Sequence, residues 1–228
     1  MSNSSSPGSA ARPVAALRGS LRPSPRVIKI SLGSFVDYSS GTGAMRMSTV
    51  LQQRRLYEEP SPHGLSFYPR IINAIRAGRA EGRDDEALAT VVEQAGRVQR
   101  PHYEAIAEGW LGCLRGWRPT VVPTGSARWR CGQLDLGVTP HLGLREANGV
   151  AFATFLYVKE RPLSRDGATV ALRLLERHMP ELLPNGVPLV IDVRRGRLHR
   201  LNRRVNRAKL DAWIRGEVAA YVTHWEAA

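Results

Sequence analysis

Cysteine is scarce in this chain of 228 residues: Cys113 and Cys131 are the only two. That is too few for a disulfide framework, and neither stands in a paired Cys or His spacing that would hold zinc. The histidines (His63, His102, His141, His178, His199 and His224) are scattered without an HExxH or similar pairing, so no structural metal is expected. Long apolar runs are missing as well. Segments such as Val150 to Val158 stop well short of the ~20 residues a membrane helix requires. The opening stretch MSNSSSPGSAARPVAAL lacks the apolar core of ~7 to 15 residues that marks a secretory signal, and a cytoplasmic protein is expected. The glycines of Gly41-Thr42-Gly43 are not followed by Lys and Ser/Thr, as a phosphate loop requires, and read as a plain turn. There is no internal repeat, no helix-turn-helix signature and no RNA-recognition signature.

What is abundant is positive charge, almost all of it arginine: Lys29, Lys159 and Lys209 are the only lysines among 33 basic residues, against 20 acidic ones, for a net charge of +13. The excess is local. Residues 1–26 hold four arginines and no acid, and residues 194–209 hold eight cations and no acid. The intervening residues 27–193 carry only +3, and residues 210–228 carry −2. Eight like charges in RRGRLHRLNRRVNRAK repel one another unless something anionic meets them. Phosphate contacts of this kind give sequence-independent affinity that weakens steeply with salt. Arg194, Arg195, Arg197, Arg200, Arg203, Arg204, Arg207 and Lys209 are therefore expected to meet the backbone of DNA or RNA. The plainer reading is a solubilising, arginine-rich surface.

At 43% hydrophobic and 23% charged residues the composition is that of a globular protein large enough for one sizeable core. Residues 1–26, rich in Ser, Pro, Ala and Arg, have no periodicity and are expected to be disordered. An N-terminal segment, 27–83, begins with VIKISLGSFVDY, read as a strand or strand pair. It continues with a helix over 48–58 capped by Ser48 or Thr49, a loop at Pro60, Pro62 and Gly64, and a helix over 68–80. A core, 84–228, opens with helices started by Asp84 or Asp85 and by Pro101. A short strand at 120–123 comes before the extended runs WRCGQLDLGV and AFATFLYVKE. Between these, Asn148-Gly149 signals a type I′ hairpin turn. With a two-residue turn, Leu144 faces Ala153, Val138 faces Lys159 and Gly137 faces Glu160. Asp135 then shares a face with Glu160, and Lys159 points to the other unless a bulge intervenes. A helix capped by Ser164 or Asp166, an interior strand over 187–193 and a closing helix over 210–226 complete the order. The fold class is α/β (α+β): a helical N-terminal half, a small mixed sheet of β-β-β-α-β order and a C-terminal helix.

From Asp84 to Val193 this order resembles the PD-(D/E)XK, or restriction-endonuclease-like, superfamily: a helix, three antiparallel strands, a crossover helix and a fourth strand. The resemblance implies an Mg²⁺ site built from an Asp near one strand and a (D/E)xK on the next, often with a glutamate from the leading helix. Carried over by position, Asp135 matches the first acid, Lys159 the lysine, and Glu104 or Glu108 the helix glutamate. Tyr157 stands where the second carboxylate belongs, and a phenol is a poor Mg²⁺ ligand at neutral pH. Asp135 with Glu160 is the remaining metal pair. The expectation is a nucleic-acid-binding protein on a degenerate nuclease-like fold, with Asp135, Lys159, Glu160 and Glu104 marking its cleft. Two alternatives stay open: a live Mg²⁺-dependent nuclease, and a protein-interaction module whose Trp213 and Trp225 helix face docks a partner or a second copy. The plainer roles are structural: Asp135 accepting hydrogen bonds, Lys159 and Glu160 marking the solvated end of a strand, Asp192 pairing with an arginine, and His141 belonging to a turn.

Overall fold

The run AFATFLY is buried at every position, and the other elements are arranged on its two faces. The computed structural model describes Met1 and residues 27–58 and 67–228; the basic tail and the Pro60–Gly64 loop lie outside the described residues. In chain order the elements are β1 (Ile28–Ser31), α1 (Leu32–Ser39), α2 (Ala44–Glu58), α3 (Pro69–Glu81), α4 (Asp84–Glu93), α5 (Arg100–Cys113), β2 (Thr120–Val122), β3 (Ala127–Cys131), β4 (Leu134–Val138), β5 (Leu142–Arg145), β6 (Ala151–Tyr157), α6 (Arg165–Arg177), α7 (Met179–Leu182), β7 (Val187–Asp192), a single 3₁₀ turn (Val193–Arg195), β8 (Arg197–His199) and α8 (Arg207–Ala227). The fold is α/β, with a helical first half and a C-terminal helix as expected. Its strands form two sheets: β1-β4-β3, and β2-β5-β6-β7-β8.

Alternation along β6 builds two cores, because successive side chains of a strand point to opposite faces. Ala151, Ala153, Phe155 and Tyr157 face α1, α6, α8 and the smaller sheet. Phe152, Leu156 and Val158 face α3, α4 and α5. The helix α6 starts where Ser164 accepts a hydrogen bond from the Gly167 N–H at 3.0 Å, an N-cap that satisfies one orphan donor of the first turn. Gly167 also permits close packing on α1, since a Cβ there would lie 2.0 Å from the Ser40 hydroxyl. The helix α8 buries Leu210, Ile214, Val218, Tyr221 and Trp225 along one stripe, and Tyr221 donates to Gln53 on α2 at 2.8 Å.

Several expectations are corrected. The FVDY part of the first run is helical: Ser31 caps α1, accepting from the Ser34 N–H. Ser48 and Thr49 lie inside α2, bonded back to the carbonyls of Ala44 and Met45. The Asn148-Gly149 hairpin exists, but its turn is one residue longer. Glu146 N–H bonds to Val150 O, Gly149 N–H bonds to Glu146 O, and Gly149 alone takes a positive φ, +87°. Leu144 therefore pairs with Phe152 and not Ala153. WRCGQLDLGV is not one partner of this hairpin; it folds on itself. The two residues Gly132 and Gln133 turn the chain, with Gly132 at φ +55°, and β3 and β4 pair across them. Trp225 is buried and Trp213 packs partly against the core, so the helix face proposed for docking is interior.

Candidate functional site

Half of the basic run is committed to partners within the molecule. Arg194 donates to the Val158 carbonyl at 2.9 Å and contacts His102. Arg195 pairs with the buried Asp192 at 3.1 Å and donates to the Glu160 carbonyl. Arg200 reaches Glu146 at 3.6 Å and lies over the Phe152 ring. Arg207 pairs with Glu176 at 2.9 Å, within a network in which Arg173 also holds Asp211 at 2.7 Å. Arg197, Arg203, Arg204 and Lys209 remain exposed. The run is thus in good part an internal tether, joining the 3₁₀ turn and β8 to the ends of β6 and α6. The arginine partner expected for Asp192 is Arg195.

Asp135, Lys159, Glu160 and Glu104, expected to mark one cleft, do not converge. The strand that pairs with β6 is β5, and Asp135 on β4 belongs to the other sheet. There its Cα neighbours are Lys29 and Arg130, and its carboxylate is capped by Arg128 at 2.9 Å and Arg130 at 3.6 Å. The hydrogen bond from Arg128 holds its pKa below the usual carboxylate value, against the opposing effect of desolvation. A carboxylate with both oxygens on guanidinium groups does not fit the Mg²⁺ role given to Asp135 and Glu160. Glu160 is exposed just past the end of β6, and Glu104 lies beside Arg97 and Arg100 at the start of α5. Glu104 and Glu108 are both exposed. Among the described residues no three His, Cys, Asp or Glu side chains gather as a metal site would need.

Lys159 does reach a cleft, together with residues the sequence did not single out. A cavity of about 700 Å³ opens where the ends of β1, β4 and β6 meet α1, α2 and α3, and Lys29, Arg76, Arg128 and Lys159 line it. Asp37, which lies 2.9 Å from Lys159, is the one acid among its described lining residues. Lys29 and Arg76 make no ion pair among the described residues and are exposed. The cationic surface continues over the smaller sheet. Strand alternation puts Lys29, Arg128 and Arg130 on its exposed face, around Asp135 and Gly137. Gly137 bares its backbone between Ser31 and Arg128, and a Cβ there would meet only the Ile30 carbonyl at 3.8 Å.

The rest of the lining is aromatic and hydroxylic. Tyr57, Phe67, Tyr68 and Phe155 contribute, with Lys159 5.7 Å from the Tyr68 ring centroid. The Tyr57 hydroxyl accepts from Ser31 N–H at 3.0 Å and contacts the Ser34 hydroxyl at 2.9 Å. Tyr157 is buried with its hydroxyl unpartnered among the described residues. Burial, and then the nearby Asp37, push its pKa up to about 12, so it remains a neutral phenol. His141 stands at the start of β5 against Phe155, and its Nδ1 accepts from the Leu156 N–H at 2.8 Å. That bond assigns the proton to Nε2 and keeps the ring neutral.

Burial, with Arg76 adding to it, pulls the His141 pKa down to about 4. A base whose folded-state pKa is depressed favours the fold while neutral, so stability is lost as pH falls from ~6.5 toward 4. The loss is expected to reach at most roughly 3 kcal/mol, because the ring is partly open to solvent. Urea titrations at steps between pH 7 and 4 will show this limb in the wild type and not in His141→Asn, whose amide oxygen can still accept from Leu156. An identical limb in the variant would assign the acid sensitivity elsewhere.

Apart from Lys159 and His141, none of these cleft residues announces itself locally. The available signal was ARWRC, whose Arg128 and Arg130 share one face once the segment is read as a strand. Arg76 and Tyr68 reach the site only through the placement of α3. Compared with protein-family models and with the curated proteins, the chain matches none.

Proposed function

We propose that this protein binds nucleic acid through the sugar-phosphate backbone, in the cleft lined by Lys29, Arg76, Arg128 and Lys159 and along the adjoining face of the smaller sheet. The observation that carries this reading is the convergence of four cations from four separate parts of the chain on one concave surface, two of them, Lys29 and Arg76, without an ion pair among the described residues, where the one acid among the described lining residues is Asp37, itself neutralised by Lys159. Like charges brought together by tertiary structure cost free energy, and an anionic ligand offsets that cost.

The scaffold is read as nuclease-like. In the larger sheet β2, β5 and β6 are successively antiparallel and β7 returns parallel to β6 through α6, following the helix α5. We take this helix, three-strand, helix, strand order, with the β3-β4 hairpin inserted, as support for the resemblance to the PD-(D/E)XK proteins. Binding is favoured over metal-dependent cleavage, because Asp135 lies in the other sheet, paired with Arg128 and Arg130, and Tyr157 precedes Lys159 by two positions.

Fluorescence anisotropy with labelled oligonucleotides, at 50 and 200 mM salt, tests the reading. Three or four phosphate contacts predict a loss of affinity of roughly 20- to 150-fold between these two conditions. Salt-insensitive binding, or none at 50 mM, would refute it.

A further inference from the structure

A cleft made only for phosphates needs cations and backbone donors, yet much of this one is aromatic. Tyr57, Phe67, Tyr68 and Phe155 line it beside the cations. His141 in its lining presents an Nε2–H, because Nδ1 is already occupied by the Leu156 N–H at 2.8 Å. Lys159 stands near the Tyr68 ring, 5.7 Å from its centroid, while paired with Asp37 at 2.9 Å. The lining therefore offers rings for a flat π-system, cations for an anion, and in His141 a neutral, directional donor.

Resting on the nucleic-acid reading above, we infer that the cleft takes an unpaired nucleotide of a single strand, its base against the aromatic rings and its phosphates on Lys29, Arg76 and Arg128. Size and chemistry agree. A volume of about 700 Å³ lies within the ~300–1,000 Å³ of small-ligand pockets, which suits one or two nucleotides. In a duplex both π-faces of every base are covered by its neighbours, so only an unpaired or extruded base can enter. Stacking on aromatic side chains is tolerant of sequence and adds to electrostatic backbone binding. Charge complementarity selects the occupant, since an uncharged apolar ligand would gain nothing from Lys29 and Arg76.

The full chain should be titrated with a labelled single strand and with the duplex of the same sequence, at 50 and 200 mM salt. Single-strand affinity is expected to exceed duplex affinity at least tenfold. Tyr68→Leu should lose roughly tenfold for the single strand, and Tyr68→Phe should not; duplex binding and the salt slope should stay the same in both variants. A nucleoside monophosphate should displace the strand at lower concentration than ribose 5-phosphate, which has the anion but no base. Salt-steep binding with the duplex equal or tighter would overturn the inference and leave backbone binding standing. Salt-steep binding to neither would remove both. Displacement by polyglutamate at the same charge concentration as effectively as by the oligonucleotide would mean an acidic peptide occupies the cleft, and would also overturn the inference.

Discussion

Neutralising the two unpaired cleft cations together, as Lys29→Gln/Arg76→Gln, is expected to weaken oligonucleotide binding roughly 30-fold at 0.1 M salt. Each phosphate contact releases condensed counterions worth ~0.7 to 0.9 in the slope of log affinity against log salt. Two lost contacts lower that slope by about 1.4 to 1.8, which at 0.1 M amounts to the stated factor. Both residues are exposed and make no ion pair among the described residues, so the fold should tolerate the change. The comparison arm is Arg203→Gln/Arg204→Gln, at exposed positions of the basic run. If anisotropy shows this second pair carrying the loss while the first binds normally, the run is the interface and the cleft is not.

Gly109→Ala is expected to destabilise the protein by about 3 kcal/mol or more, a large share of the ~5–15 kcal/mol that holds a domain folded. The helix α5 crosses the 3₁₀ turn at Gly109, and a Cβ there would stand 1.9 Å from the Val193 carbonyl oxygen and 2.9 Å from its carbon. The turn cannot easily retreat, because it follows β7 directly and Leu189, Ile191 and Val193 are fully buried. Alanine would otherwise favour a helix by ~1 kcal/mol over glycine; here the backbone clash outweighs that gain. Gly112, on the same helix with nothing near its Cβ position, is the control, and Gly112→Ala should be neutral or slightly stabilising. Urea unfolding of the two variants separates them, and equal stability would mean that α5 does not pack on the turn this way. The contact bears on the cleft too. Arg194, within the turn, donates to the Val158 carbonyl at 2.9 Å, the residue before Lys159, so a displaced turn would loosen the segment that carries Lys159 to Asp37.

The hairpin shows how a local signal can be right in kind and wrong in detail. Asn148-Gly149 does reverse the chain, yet a turn one residue longer shifts the register by one and exchanges every partner. The larger error concerned WRCGQLDLGV. Cys131-Gly132-Gln133-Leu134 carried its own turn signal, a glycine at the first central position of a two-residue loop, and two turn signals competed for the same strand. Once β4 closes on β3, its other edge takes β1 in parallel, and Asp135 moves to a sheet that Lys159 does not share. The arginine-rich run likewise looked free because two of its acidic partners, Glu146 and Glu176, come from elsewhere in the chain; only Asp192, just before the run, was within local reach.

The amino-acid order by itself determined what depends on neighbours a few residues away. The apolar stripes of α5, α6 and α8, the Ser164 cap, the buried β6 and β7 and the local charge excess all follow from helical or strand periodicity and side-chain chemistry. Only the tertiary structure decided which strands pair and which charges meet. Backbone hydrogen bonds between strands are indifferent to sequence, so pairing is chosen by the burial of whole faces at once. That choice brought Lys29, Arg76, Arg128, His141 and Lys159 into one cleft from positions spread over 131 residues of chain.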